Sequence, residues 1–367
     1  MKIYIKLTNA FFWINFLCWV TLSTLSAQPH IQSLNEIKKN LGAGVNLSIF
    51  EHYWSTTDAL YGENVSYKLN NISKSGFKTV RLPVAFDLFL QPNSYNVQPE
   101  LLSKLKEIYT VCAENKLNLI ITYHYGKLNN DNTYSETERI SWIWKQMQRY
   151  FAGLGYNDLL FELYNEPTAN NSKWKETITS IIDYLRYEDK NRIYIVGGVN
   201  YNSLDELKAM GKLPDDKLLY TFHFYEPFLF THQGADWTNN KTNVRNLPYP
   251  YKKSKMPKEA FDQSTGHLNA DFTNYPQEAT NAFIVQRLVS IAQFCQQNNM
   301  PLICTETGVI NLAGKKSRKH YLSDITDDMY QLNIQTVLWD YDQKFSIKRN
   351  EKKVLHFLTP WLKETKK

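Results

Sequence analysis

Cysteine is scarce: the 367-residue chain has four, and no two stand in a CxxC spacing. That speaks against a disulfide framework or a thiolate metal site. HxH is absent as well, so the usual ligand spacing of a zinc hydrolase is missing. No block of five or more like charges occurs, and the formal net charge is only +6. A dedicated nucleic-acid-binding protein is therefore disfavoured. Beyond residue 27 no run reaches 18 apolar residues, so no later segment reads as a membrane span. No GxGxxG turn follows the first strand-like run, which argues against an open dinucleotide-binding sheet. Internal repeats and low-complexity linkers are also missing.

What is present is globular in composition, with 43% hydrophobic, 21% charged and 14% aromatic residues. Most of the aromatics belong in a core, and some can line a groove for flat, partly apolar ligands such as sugar rings. Residues 1–27 read as a secretory signal. Lys2 and Lys6 precede the apolar FFWINFLCWV, and TLSTLSA supplies small residues for cleavage after Ala27. The remaining cysteines, Cys112, Cys295 and Cys304, are odd in number and sit in apolar patterns. They read as small buried hydrophobes, with one disulfide between two of them left open.

Strand-like runs recur near 42–49, 78–84, 117–125, 158–166, 192–198, 218–225, 301–307 and 335–341. Several are almost continuous in Val, Ile, Leu and aromatics, as strands buried on both faces should be. Helix-period segments lie between them, and Ser135 with Glu136 and Glu138 reads as one helix start. Alternating β and α elements imply a parallel sheet. Eight strands in this length predict an α/β fold, a closed (β/α)8 TIM barrel forming a single domain over 28–367. Residues 226–276 are an aperiodic exception, a long loop whose aromatics, including Trp237, suit an ordered lid or groove wall.

In such a barrel the active site lies at the C-terminal ends of the strands. Reading those ends gives Arg81, His124, Asn165, Glu166, His223, Tyr225, Glu306 and Trp339. Glu166 and Glu306 are the centre of the argument. Glycoside hydrolysis needs one carboxylic acid to protonate the leaving oxygen and a second carboxylate to attack the anomeric carbon or activate water. Arg81 and the Tyr225 hydroxyl are expected to keep Glu306 ionised, with a low pKa. Asn165 can donate to a sugar 2-OH, His124 and His223 can bond ring hydroxyls, and Trp339 offers a stacking face. Glu162, four residues before Glu166, should also point inward. It reads as a buried structural carboxylate paired with a base or hydrogen bonds.

Together VRLPV, TYHY, FELYNEP, HFYEPFLFTHQGADW, ICTETGV and VLWDY resemble glycoside hydrolase family 5, the cellulase family of retaining β-glycosidases. The resemblance runs in order along nearly the whole chain after the signal. It implies a (β/α)8 barrel with Glu166 as acid/base and Glu306 as nucleophile. Beside it, Arg81, His124, Asn165, His223, Tyr225, Trp237 and Trp339 are the residues expected to bind substrate. No cofactor and no metal are implied. The first strand, GVNLSIFEHYW, lacks the Gly-Asn pair of many family endoglucanases, and Tyr125 follows His124 where members often carry another polar residue. Both departures fall near glycone-side subsites.

The expectation is a secreted hydrolase of β-linked glucans, β-1,4-glucan foremost, acting as a monomer on a polysaccharide or oligosaccharide. Nucleic acid is not expected as a partner, nor is a membrane once the signal is cleaved. An exo-acting β-glucosidase or a β-mannanase of the same family are alternatives. A glycan-binding barrel with little turnover is the alternative of another class, and the pair of glutamates argues against it.

Overall fold

The apolar runs form β1 (Gly44–Asn46), β2 (Thr79–Val84), β3 (Asn118–Tyr123), β4 (Leu159–Glu162), β5 (Tyr194–Gly197), β6 (Leu218–Phe224), β7 (Leu302–Thr307) and β8 (Gln335–Leu338). In this computed structural model they close into one barrel in sequence order. Every neighbouring pair is parallel, and β1 closes the ring by pairing Gly44 with Val337 and Val45 with Leu338. The structure describes residues 32–51, 64–238, 244–258, 271–350 and 353–365. The signal expected at 1–27 lies outside them. Among the described residues no helix is long and apolar enough to cross a membrane.

Alternation along each strand sorts the side chains into two layers. Val80, Leu82, Phe161 and Val196 face outward and join the large core beneath the helices. Ile120, Leu160, Ile195, Leu219 and Ile303 face inward and fill the lower barrel. The amphipathic helix Leu34–Leu41 closes this end, placing Ile37 and Leu41 against that inner layer. Its start is set by a capping box between Ser33 and Glu36, a device worth about 1 kcal/mol. Each fully buried Leu or Ile contributes roughly 1.5–3 kcal/mol, so the lower barrel stabilises the ring on which the upper, polar layer stands. A cavity of about 740 Å³ lies at this lower end, lined in part by Lys38, Tyr220, Cys295 and Asn333.

Several boundaries differ from expectation. The helix expected to start at Ser135 runs Thr133–Tyr150 with Asn132 at its cap position, because Ser135 spends its hydroxyl on the Asn132 carbonyl. Strand β4 stops at Glu162 instead of reaching Glu166. In the long segment after β6, the described residues hold two short helices, Phe228–Thr231 and Asp271–Glu278, and a 3-10 turn at Lys253–Lys255. Phe230 and Tyr249 are buried against Tyr321, so this part of the loop is packed on the barrel. Cys112, Cys295 and Cys304 are buried and free, and the disulfide left open does not form.

Candidate active site

Above the apolar layer the barrel interior turns polar, and one side chain organises it. Arg81, central in β2, points inward and has no exposed surface. Its Nε and Nη2 donate to both oxygens of Glu162, at 2.6 and 2.9 Å. Nη2 also reaches Asn165 Oδ1 at 2.7 Å. Nη1 bonds Glu306 Oε1 at 2.7 Å and Asn46 Oδ1 at 2.8 Å. One planar guanidinium thus ties together β1, β2, β4 and β7, a task its fixed fork of donors suits. Glu162 is the buried, base-paired carboxylate that the sequence led us to expect.

The two upper glutamates reach the mouth by departures from regular strand geometry. In β7 the register slips by one residue, so Phe222 pairs with Cys304 but His223 pairs with Glu306. Strict alternation would send Thr305 inward and Glu306 outward. The bulge turns both inward: Thr305 Oγ1 bonds Thr221 and Glu306 meets Arg81. Glu166 follows β4 on a loop that still bonds the sheet through the Asn165 N–H to the Tyr123 carbonyl. There it adopts a left-handed φ of 49°, uncommon for a residue with a side chain. Gly308 is required here, because a Cβ would lie 2.1 Å from the Trp339 carbonyl oxygen.

His223 stands between the glutamates. Its Nδ1 is 2.8 Å from Glu166 Oε1 and 3.5 Å from Glu306 Oε2. Tyr225 donates its hydroxyl to Glu306 Oε2 at 3.1 Å. The Glu166 side chain keeps 26% of its exposure and that of Glu306 only 7%, so Glu166 presents its carboxyl to the mouth more openly. Burial would strip His223 of its proton, but the nearby Glu306 and Glu166 carboxyls outweigh this and raise its pKa. Tyr225 is pushed well above the usual phenol range, by burial first and by Glu306 next, and so stays a donor. Glu306 corrects our expectation of a low pKa. Burial pushes its carboxyl above the ordinary value, against the pull of His223 and Arg81. Desolvation outweighs the positive neighbours because the group is enclosed on all sides.

The residues singled out from sequence gather unequally. Hydrogen bonds join Arg81, Asn165, Tyr225 and Glu306, and another joins His223 to Glu166; the two groups meet where His223 Nδ1 lies 3.5 Å from Glu306 Oε2. His124 and Trp339 stack at 5.9 Å with an 8° interplanar angle, and the His124 N–H continues the ladder to Val84. Trp237 stands apart. Among the described residues it joins Tyr225 through the rings of His232 and Phe345, with Lys344 over its own ring at 4.2 Å, and about half of it is exposed. Tyr125, noted from sequence only as a departure from the family pattern, and Asn46, not singled out, also stand at the site. Tyr125, half-exposed, places its hydroxyl 3.3 Å from Glu51 Oε1, and burial first, then Glu51, Glu306 and Glu166, push its phenol above the ordinary range. Asn46 holds Arg81 from β1. The sequence signal for both was adjacency, since Tyr125 follows His124 and Asn46 ends the first strand.

Among the described residues, Glu166, His223 and Glu306 also form the one set of donors close enough to hold a cation, with one donor atom from each within 4.8 Å of the others. Glu306 is already bonded there by the Arg81 guanidinium, at 2.7 Å, so a cation would have to share that carboxylate with a positive neighbour.

Arg81→Met tests the structural half of this arrangement. It leaves Glu162, fully buried, without its counter-charge. Removing one partner of a buried ion pair costs about 3–5 kcal/mol. Urea unfolding should show that loss, and a loss below about 1 kcal/mol, the scale of a surface ion pair, would contradict it.

Comparisons with known proteins agree with one another. The family described as Cellulase (glycosyl hydrolase family 5) matches residues 39–345. Endoglucanase 3 of Fibrobacter succinogenes is 26% identical, over 86% of this chain and 51% of that protein. Endoglucanase C of Acetivibrio thermocellus is 26% identical, over 78% of this chain and 86% of that protein. The chain thus spans about half the length of the first relative and most of the second. Among solved structures, an endoglucanase of Thermotoga maritima superposes with a TM-score of 0.74, at 21% identity, over 90% of this chain and all of its own. That last likeness is one of fold.

Proposed function

Because the chain belongs to the cellulase family, glycosyl hydrolase family 5, we propose that this glycoside hydrolase cleaves β-1,4-linked glucan with retention of anomeric configuration. The observation that carries the reading is the carboxyl pair. An oxygen of Glu166 and one of Glu306 lie within 4.8 Å. Such close oxygens suit the carboxyl separation of retaining glycosidases, about 5–5.5 Å, better than the about 6.5–9.5 Å by which inverting ones admit a water. The similarity to endoglucanases supports the glucan and internal cleavage.

In this reading Glu306 attacks the anomeric carbon while the bond to the leaving oxygen breaks. Glu166 gives its proton to that oxygen. In the second step Glu166, now a carboxylate, takes a proton from water. The water oxygen attacks the same carbon and Glu306 departs. Arg81 and Tyr225 hold the two Glu306 oxygens, which positions the nucleophile. Asn165 has its carbonyl oxygen taken by Arg81, leaving its NH₂ to donate to a 2-OH. Trp339, stacked on His124, offers a wall for a sugar ring.

Proton NMR during hydrolysis of a cello-oligosaccharide provides the test. The β anomer should appear first at the new reducing end, and a chelator should leave the rate unchanged. The α anomer appearing first would mean inversion. No product from glucan, with product from mannan, would move the substrate to the other side of the family.

A further inference from the structure

One residue outside the set singled out from sequence touches the centre of the site. Asn202 lies in the loop after β5, is fully buried, and sets its side-chain Nδ2 3.2 Å from His223 Nε2. The other ring nitrogen of His223 faces Glu166. The loop is shaped around this contact. Asn200, Tyr201 and Asn202 all adopt left-handed φ values, of 52, 61 and 51°. Such a run is sterically unfavourable for residues bearing a Cβ, for tyrosine above all. Gly197 precedes it, and a Cβ there would lie 2.6 Å from the Asn202 carboxamide. The chain thus leaves room at Gly197 and adopts three unfavourable conformations where Asn202 meets His223.

We propose that Asn202 is a positioning residue that fixes His223 as its Nδ1–H tautomer, so that the imidazole always donates to the Glu166 carboxylate. This rests on the reading of Glu166 as the acid/base. The logic is that of any paired imidazole: the hydrogen bond at one nitrogen decides which nitrogen carries the proton. An amide N–H at Nε2 demands a lone pair there, which leaves the proton on Nδ1. Asn202 Oδ1 is buried and has no hydrogen-bond partner among the described residues. Turning the amide over would seat that oxygen at Nε2 and serve the imidazolium equally well. With the amide so turned, Nδ1–H stays on Glu166 while the ring is charged; on the neutral ring it is the N–H orientation of the amide that keeps it there. The charged and titratable groups facing His223 are Glu166 after β4, Glu306 on β7 and Arg81 on β2. Without Asn202 the ring is free to turn a lone pair toward Glu166, a geometry that holds a proton on the acid when the reaction needs it released.

Two variants suit a left-handed position. Asn202→Gly removes the side chain and tolerates the positive φ. Asn202→Asp keeps the shape and replaces the donor by an acceptor. Nitrogen chemical shifts of the ring, assigned with His223→Gln, report the tautomer without any turnover. Neutral His223 should carry its proton on Nδ1 in the parent protein, on Nε2 in Asn202→Asp, and on both in exchange in Asn202→Gly. On polysaccharide each folded variant should lose about tenfold in kcat, the measure of one hydrogen bond, with KM little changed. An aryl glycoside with a very good leaving group should lose far less in the first step. A parent tautomer with Nε2–H, or variants with the parent tautomer, overturns the proposal. So does an equal loss on both substrates. If Glu166→Ala leaves polysaccharide hydrolysis intact, the functional reading fails while the tautomer measurement stands on its own.

Discussion

Glu306→Ala is expected to lower kcat/KM on glucan by about 10⁵-fold or more, the scale on which loss of a covalent nucleophile acts. The variant loses the bonds to Arg81 and Tyr225 together, and in the proposed mechanism the space it opens faces the anomeric carbon. Added azide should enter that space and form the α-glycosyl azide, a product the parent protein cannot make. The pH profile of the parent carries the companion expectation. Glu306 must be ionised to attack, and burial has raised its pKa above the ordinary glutamate value. Activity is therefore present above that raised pKa and falls as pH drops through it. An acid limb at or below the usual glutamate range would contradict the geometry, and near-parental turnover by Glu306→Ala would remove it from catalysis.

Glu166→Ala should cost about 10²–10⁴-fold on polysaccharide, the range of a positioned general acid. The loss should depend on the leaving group. A poor leaving group needs the proton, whereas a very acidic phenol does not, so such an aryl glycoside should still glycosylate the protein and then stall. A burst of phenol followed by slow turnover is the expected trace. Azide should relieve the stall and give the β-glycosyl azide, opposite in configuration to the product of Glu306→Ala. Equal losses for all leaving groups would assign Glu166 a structural role.

The barrel was legible because its cause is local and repeated. KTVRLPV, LNLIITYHY and PLICTET are apolar on both faces, and only strands covered on both sides can bury such runs. The polar residues at their ends stood out against that background. Glu162 was readable as structural for the same reason, because alternation places it below the mouth. Trp237 read as part of a lid or groove wall and Trp339 as a strand-end stacking face, but only ring packing shows that Trp237 leans on Phe345 and His232 while Trp339 lies over His124. Asn202 carried no signal at all. It sits in GGVNYNSLDEL, where Asn and Gly announce a turn and nothing more.

Sequence alone determined the class of fold, the order of its eight strands and the pair of glutamates with their strand addresses. Each follows from periodicity and from residue type at the end of an apolar run. Tertiary structure decided which way those glutamates point and what charge they feel. Regular alternation would turn Glu306 out of the barrel, and it is the one-residue slip of β7 against both β6 and β8 that turns it in. The direction of its pKa is likewise a sum over neighbours. His223 and Arg81 were visible in the sequence, but the enclosure that outweighs them arises only when distant strands close around the site.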